Sequence, residues 1–268
     1  RTTNSATTTS KGLSVETTSK TPQAYASIAA SLYRSRRYAR QSLIPFVEWT
    51  FPHYETGQHQ QAIATALEQV ERGEITRLII EAPPRHGKSE LCSKRFPAWF
   101  LGRNPTKQII SASYSGDLAS GFGRDVRNVV DSARYRAIFP DIALAADSQA
   151  ANRWHTEQGG IYVASGVGGT IGGRGADLFI IDDPIRGREE ADSETIRNKL
   201  WEWYQSVVYT RQMFDDPRII IMMTRWHEDD LVGRLLELEQ RGGDVWTRLH
   251  LPAIKQVNGT DHALWPSK

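Results

Sequence analysis

Apolar residues recur along the chain in two periods. Five short runs are apolar at nearly every position: Arg77–Glu81, Gln108–Ser113, Ile161–Ser165, Leu178–Asp182 and Arg218–Thr224. Segments such as LFIID and IIIMMT have no polar face, which is the pattern of strands covered by helices on both sides. Between them the period lengthens. Leu118, Phe122, Val126 and Val129 fall on one helical stripe, and Ile196, Leu200, Trp203 and Val207 on another. Strands alternating with amphipathic helices predict an α/β, doubly wound domain around a central, mainly parallel β-sheet. Trp201, Trp203 and Tyr204 lie on or beside the second stripe and are assigned to core packing. An Ala/Tyr/Arg-rich stretch from Gln23 to Arg40 reads as a helix that Pro45 terminates.

Composition narrows the class. The 268 residues are 39% hydrophobic and 24% charged, enough for one large domain or two small ones. A lone cysteine, Cys92, excludes an internal disulfide and points to a reducing cytoplasm. No apolar run approaches the ~20 residues that span a bilayer, and the Thr/Ser-rich start has no signal-peptide core, so no membrane partner is expected. The overall charge of +2 conceals an asymmetry, because Arg1, Lys11, Lys20, Arg34, Arg36, Arg37 and Arg40 face only Glu16 in the first 45 residues. Such an arm suits nucleic acid, an acidic partner or simply a solvated helix face. Residues 1–22 are expected to be a disordered tail and 23–50 a basic helical arm.

The chemistry concentrates in three segments. In LIIEAPPRHGKSE, residues 78–90, an apolar strand enters a turn-rich loop and GKS opens a helix. This is the context of a phosphate-binding loop for ATP: Pro84, Arg85, His86, Gly87 and Glu90 would line the phosphates, with backbone N–H groups at the helix's amino end pointing at them, Lys88 reaches the β and γ groups, and Ser89 ligates Mg²⁺. Ala82 stands where the usual pattern has its first glycine. Farther on, LFIIDDP places Asp182 and Asp183 at the end of a buried strand, with Asp182 suited to hold Mg²⁺ and Asp183 to polarise the attacking water. The third segment, IIIMMTRWHEDDL, ends its strand at Thr224, which would face the γ-phosphate if that strand lies between the other two. Glu228, Asp229 and Asp230 suit the first turn of the next helix. A zinc helix is excluded because Leu231 stands where H-E-x-x-H needs a second histidine. GVGGTIGGRGADL, residues 166–178, reads as a mobile loop carrying Arg174, a candidate for contact with the transferred phosphate.

Together APPRHGKS, FGRDVR, RGADLFIIDDP and MMTRWHEDDL resemble the ATPase domain of the large terminase subunit of tailed bacteriophages, over about residues 55–252. The resemblance implies a P-loop NTPase fold of the ASCE type, with Lys88 and Ser89 on nucleotide and Mg²⁺, Asp182 and Asp183 as the Walker B pair and Thr224 in the coupling motif. Asp183 replaces a glutamate common in relatives, which shortens its reach. An adenine-contacting glutamine is implied among Gln58, Gln60 and Gln61, with Gln58 favoured, and Arg85 and Arg174 are the charge-stabilising candidates. Implied partners are double-stranded DNA, a portal protein and a small terminase subunit. The motor would be a homo-oligomeric ring, a pentamer, in the host cytoplasm, and a monomer as an isolated fragment. Residues 253–268 would start a linker to a carboxyl-terminal nuclease domain, so no nuclease activity is expected here. The rivals are a superfamily-2-like helicase or translocase and a non-catalytic nucleotide-binding assembly protein.

Overall fold

In the computed structural model the described residues are 21–148, 150–169, 171, 173, 175–211, 217–257 and 260–265. The chain divides into two units, Arg1–Arg34 and Ser35–Lys268. Helix α1 (Pro22–Gln41) supplies the described part of the first, where Tyr25, Ile28, Leu32 and Tyr33 are exposed. Its last turns belong to the second unit. There Arg36 lies over the Trp49 ring and Arg40 over Phe139, so two of the four clustered arginines are engaged in packing.

Pro45 does not terminate α1. The helix stops at Gln41, Ser42 takes an extended conformation, and α2 (Leu43–Thr50) begins with Pro45 inside its first turn. A proline there lacks only an N–H that no helical carbonyl would have accepted. Leu43, Ile44, Phe46 and Val47 are buried, which makes α2 part of the core.

The remaining helices are α3 (Gln58–Glu71), α4 (Phe96–Arg103), α5 (Gly116–Val130), α6 (Ala133–Arg136), α7 (Arg188–Asp192), α8 (Glu194–Trp203) and α9 (Leu231–Gln240). The strands are β1 (Arg77–Glu81), β2 (Gln108–Ser113), β3 (Arg153–His155), β4 (Ile161–Gly166), β5 (Leu178–Asp182), β6 (Arg218–Met223), β7 (Thr247–His250), β8 (Ile254–Val257) and β9 (Thr260–Ala263). Seven form one sheet in the order β3-β4-β2-β5-β6-β1-β7, parallel except for β3, and β8 pairs with β9. All five expected strands are present, with β4 one residue longer and β6 one residue shorter than expected. The two edge strands escape periodicity because β3 is three residues long and β7 is mostly exposed.

Side chains alternate across the sheet as strand geometry requires. Leu78, Ile80, Leu178, Ile180, Ile220 and Met222 enter one core, while Ile79, Phe179, Ile181, Ile219, Ile221 and Met223 enter the other. Both faces are covered, as their all-apolar composition predicts. Trp203 and Tyr204 are buried in the second core, with Trp201 stacked on Tyr204 at 5.9 Å. Strand β6 lies between β5 and β1, with Asp182 beside Met222 and Glu81 beside Met223. The carboxyl ends of these three neighbours therefore deliver residues 82, 183 and 224 to one place.

Two glycines of α5 test this packing. A Cβ at Gly123 would sit 2.3 Å from the Ala151 carbonyl oxygen, whereas one at Gly121 meets nothing within 4 Å. Gly121→Ala should stabilise by ~0.5–1 kcal/mol through helix propensity. Gly123→Ala should destabilise by ~2 kcal/mol or more, because backbone must move. Urea unfolding of both variants reads the difference; equal effects would contradict the close approach of α5 to residue 151.

Candidate active site

The phosphate loop leaves β1 after Glu81 and re-enters helix at Lys88. Arg85 (φ 61°) and Gly87 (φ 77°) both take left-handed backbone, which folds six residues back onto the strand end. The helix then widens into a π-helical turn, Glu90–Arg95, before continuing as α4. Helix α3 supports the loop from below. His59 Nε2 donates to the His86 carbonyl at 3.1 Å, and His86 Nδ1 donates to the Pro84 carbonyl at 2.8 Å. Gln60 is buried; its Oε1 accepts from the Gly57 N–H at 2.7 Å, and its Nε2 would lie 3.4 Å from a Cβ at Gly87. Gln58 and Gln61 are exposed, so Gln60 is the glutamine against the loop. Glu90 is paired with Lys94 and Arg95, while Pro84 and Arg85 face solvent.

Lys88 brings the three segments together. Its ammonium, almost wholly buried, is 2.8 Å from Asp183 Oδ2 and donates to Thr224 Oγ1 at 3.0 Å. Asp183 Oδ1 accepts from the Thr224 N–H at 2.8 Å, and Thr224 Oγ1 donates to the Ala82 carbonyl at 3.4 Å. Asp183 has φ 41°, a strained value for a residue with a Cβ. That twist turns its carboxylate away from β5 and across to Lys88. Arg174 lies outside the described residues.

Asp182 is the buried member of the pair. Its Oδ2 accepts from Ser93 Oγ at 2.7 Å, while Oδ1 has no hydrogen-bond partner among the described residues. Burial pushes its pKa up to about 6 and the Asp183 charge adds to this, against the pull of the Ser93 and Ser89 hydroxyls and of Lys88. Ser93 was not anticipated. Its signal is spacing, since it follows Ser89 by one helical turn on the same face.

A second charged group was also not foreseen. Glu81, buried at the end of β1, accepts from Arg225 Nη1 at 2.8 Å, Arg248 Nη2 at 3.0 Å and His250 Nδ1 at 3.1 Å. Burial opposes its ionisation, but Arg248 and Arg225 outweigh that and hold its pKa below the usual glutamate range. Arg225 also donates to Asp230, which caps α9 by accepting from the Gly233 N–H at 2.9 Å. The acids of HEDDL thus precede α9 rather than filling its first turn, because Asp230 is the cap. His227 accepts from the Asp229 N–H at 3.0 Å, a local turn contact.

A cavity of about 210 Å³ opens on this arrangement, bounded by Ser89, Tyr114, Asp182, Asp183, Arg186 and Thr224. Strand, phosphate loop, helix, an acidic pair on a second strand and a hydroxyl on the strand between them constitute a P-loop NTPase site. A model of the terminase large subunit, T4likevirus-type, N-terminal family matches residues 79–261, which include Lys88, the Asp182–Asp183 pair and Thr224.

The chain belongs to this family. The large terminase of bacteriophage HK97 has the same fold, with TM-score 0.56 and 14% identity over 85% of this chain and 45% of that one. The chain therefore spans under half the length of that relative. The ATPase domain of the Thermus phage P74-26 large terminase aligns at 16% identity and TM-score 0.46, covering 66% of this chain and 67% of that one. The large terminase of a thermophilic bacteriophage, solved with ATP-gamma-S, aligns at 12% identity and TM-score 0.45 over 74% and 44%. No curated protein sequence matches the chain.

The terminase fold places a stability cost at Asp182. A folded-state pKa of about 6 against a usual 3.8 means that the ionised carboxylate opposes folding above pH 6, and that the penalty fades as pH falls from 6 toward 3.8. Asp182→Asn should therefore stabilise the nucleotide-free protein by ~2 kcal/mol at pH 7.5 in EDTA, with the gain shrinking toward pH 4. Thermal melts across that range measure it, and a loss of stability at pH 7.5 would refute the burial argument.

Proposed function

We propose that this chain is the ATPase domain of a phage large terminase and hydrolyses Mg-ATP to drive double-stranded DNA into a procapsid. The observation that carries the reading is the Lys88, Asp183 and Thr224 contact at the ends of three adjacent parallel strands. A lysine that reaches an acid and a hydroxyl across two strands is placed to exchange both for the β and γ phosphates. Asp183, relieved of the lysine, then accepts the proton of the attacking water.

Ser89 and the unpartnered Oδ1 of Asp182 are the oxygens on offer to Mg²⁺. Among the described residues no group of three or more His, Cys, Asp or Glu could hold a metal, which suits an ion completed by phosphate oxygens and water. Mg²⁺ would supply charge neutralisation on the phosphates. Thr224, bonded to Lys88 and to the Asp183 carboxylate, feels the departure of phosphate directly and passes it to Arg225 and α9. Double-stranded DNA, a portal, a small terminase subunit and further copies of the chain in a ring are the partners that fit this reading in a host cytoplasm. No described helix is long and apolar enough to cross a membrane.

Two substitutions test the assignment. Lys88→Ala should abolish phosphate release while far-UV circular dichroism and melting show a folded protein; turnover within twofold of wild type would overturn the site. Asp183→Asn keeps an acceptor for the Thr224 N–H but cannot take a proton, so Mg-ATP binding should persist while hydrolysis falls by ~10²-fold or more. Loss of binding instead would move Asp183 into the metal's coordination shell.

A further inference from the structure

The cavity facing the phosphate loop has an unbalanced lining. Asp182 and Asp183 are its acids, and Arg186 is the one cation among its described lining residues. A triphosphate brought against two carboxylates would draw on Lys88 and Mg²⁺, and a further positive charge on the side away from the loop would stabilise the charge that develops at its terminal phosphate. Other described cations around the site are paired. Arg225 is held by Glu81 and Asp230, Arg197 and Arg234 by Asp229, and Lys94 and Arg95 by Glu90. The Arg186 guanidinium is exposed and makes no hydrogen bond or ion pair among the described residues.

Its backbone, by contrast, is anchored. The Arg186 N–H donates to the Glu190 carboxylate at 2.9 Å, and the preceding Ile185 is buried in the second core. A fixed Cα three residues past Asp183, with an uncommitted side chain, aims the guanidinium without spending it on structure. Arg186 also lines a second cleft, of about 740 Å³, with Gly187, Arg188, Glu190 and Ser193, so its side chain borders open space beside the catalytic cavity as well as the cavity itself.

We propose that Arg186 is a further catalytic residue, donating hydrogen bonds to the terminal phosphate of ATP bound in its own subunit. The proposal rests on the ATPase reading above. No covalent bond forms at the arginine and no proton leaves it; the planar fork offers two parallel N–H donors to oxygens whose charge changes as the phosphoryl group transfers. A lysine at this position supplies the charge without the fork, so it should restore part of the function.

The experiment measures phosphate release and the affinities for ATP-gamma-S and ADP, each with Mg²⁺, for wild type, Arg186→Ala, Arg186→Lys and Lys88→Ala. Arg186→Ala is expected to lower turnover by ~10–10³-fold and to weaken ATP-gamma-S at least fivefold, leaving ADP within about twofold, with Arg186→Lys intermediate. Where turnover is slow, the ratio of the two affinities decides. Arg186→Ala with unchanged turnover and an unchanged ratio, beside an inactive Lys88→Ala, would overturn the role of Arg186 and leave the ATPase reading intact. Unchanged turnover in both variants would place the fault in that reading. Recovery of activity on mixing Arg186→Ala with Lys88→Ala subunits would overturn the assignment to its own subunit, because one variant would be completing the other's site.

Discussion

A buried ammonium must have a partner, and most of the geometry at this site follows from how Lys88 finds two. An unpaired buried charge costs several kcal/mol, so a lysine at the start of a helix packed on a sheet either reaches an acid or is driven toward neutrality. Here the acid is on β5 and the hydroxyl on β6. Both are reachable because β6 separates β1 from β5, so one side chain crosses the ends of three strands. The strained φ of Asp183 has its reason here too. A carboxylate continuing the alternation of β5 would point into a core; the left-handed turn sends it across the strand end instead.

The same constraint explains how much could be read from sequence. A lysine after glycine, two acids after four apolar residues and a threonine after another apolar run are local patterns, each tied to a strand end, and parallel topology does the rest. The place of β6 entered only as a condition, that Thr224 would face the phosphate if its strand lay between the other two, and the observed order meets that condition. What stayed hidden depends on contacts between distant segments. Ser93 beside Asp182, Gln60 beneath Gly87 and the three donors on Glu81 are all long-range pairs whose members look ordinary in their own windows. Pro45 misled for a different reason. Proline ends helices from the interior but is tolerated in a first turn, and the break at Ser42 carries no strong local signal.

Asp182 and Glu81 show opposite solutions to burying a carboxylate at the end of a strand. Glu81 is surrounded by two arginines and a histidine, which make ionisation favourable in spite of burial, and so it can serve as a rigid anchor between β1, β7 and the segment leading to α9. Asp182 has hydroxyls for partners and a lysine that is paired elsewhere, and one of its oxygens is left without a partner among the described residues. A purely structural position would favour the first arrangement or an apolar residue. Retaining the second, at a cost to stability, is the expected signature of a group whose missing partner is supplied by a ligand.

Glu81 and Asp183 hold the two sides of the Thr224–Arg225 pair differently. The Glu81 network fixes Arg225, and Arg225 fixes the cap of α9 through Asp230, so the residue next to Thr224 is held rigidly to a helix. Thr224 itself is held by hydrogen bonds alone: its hydroxyl accepts from Lys88 and donates to the Ala82 carbonyl, and its amide donates to Asp183. In the proposed ATPase, a phosphate that displaced those contacts would act on the nucleotide side of Thr224 and leave the connection outward in place. On that reading a change at the nucleotide would pass outward with little loss, because one half of the joint is fixed by ion pairs.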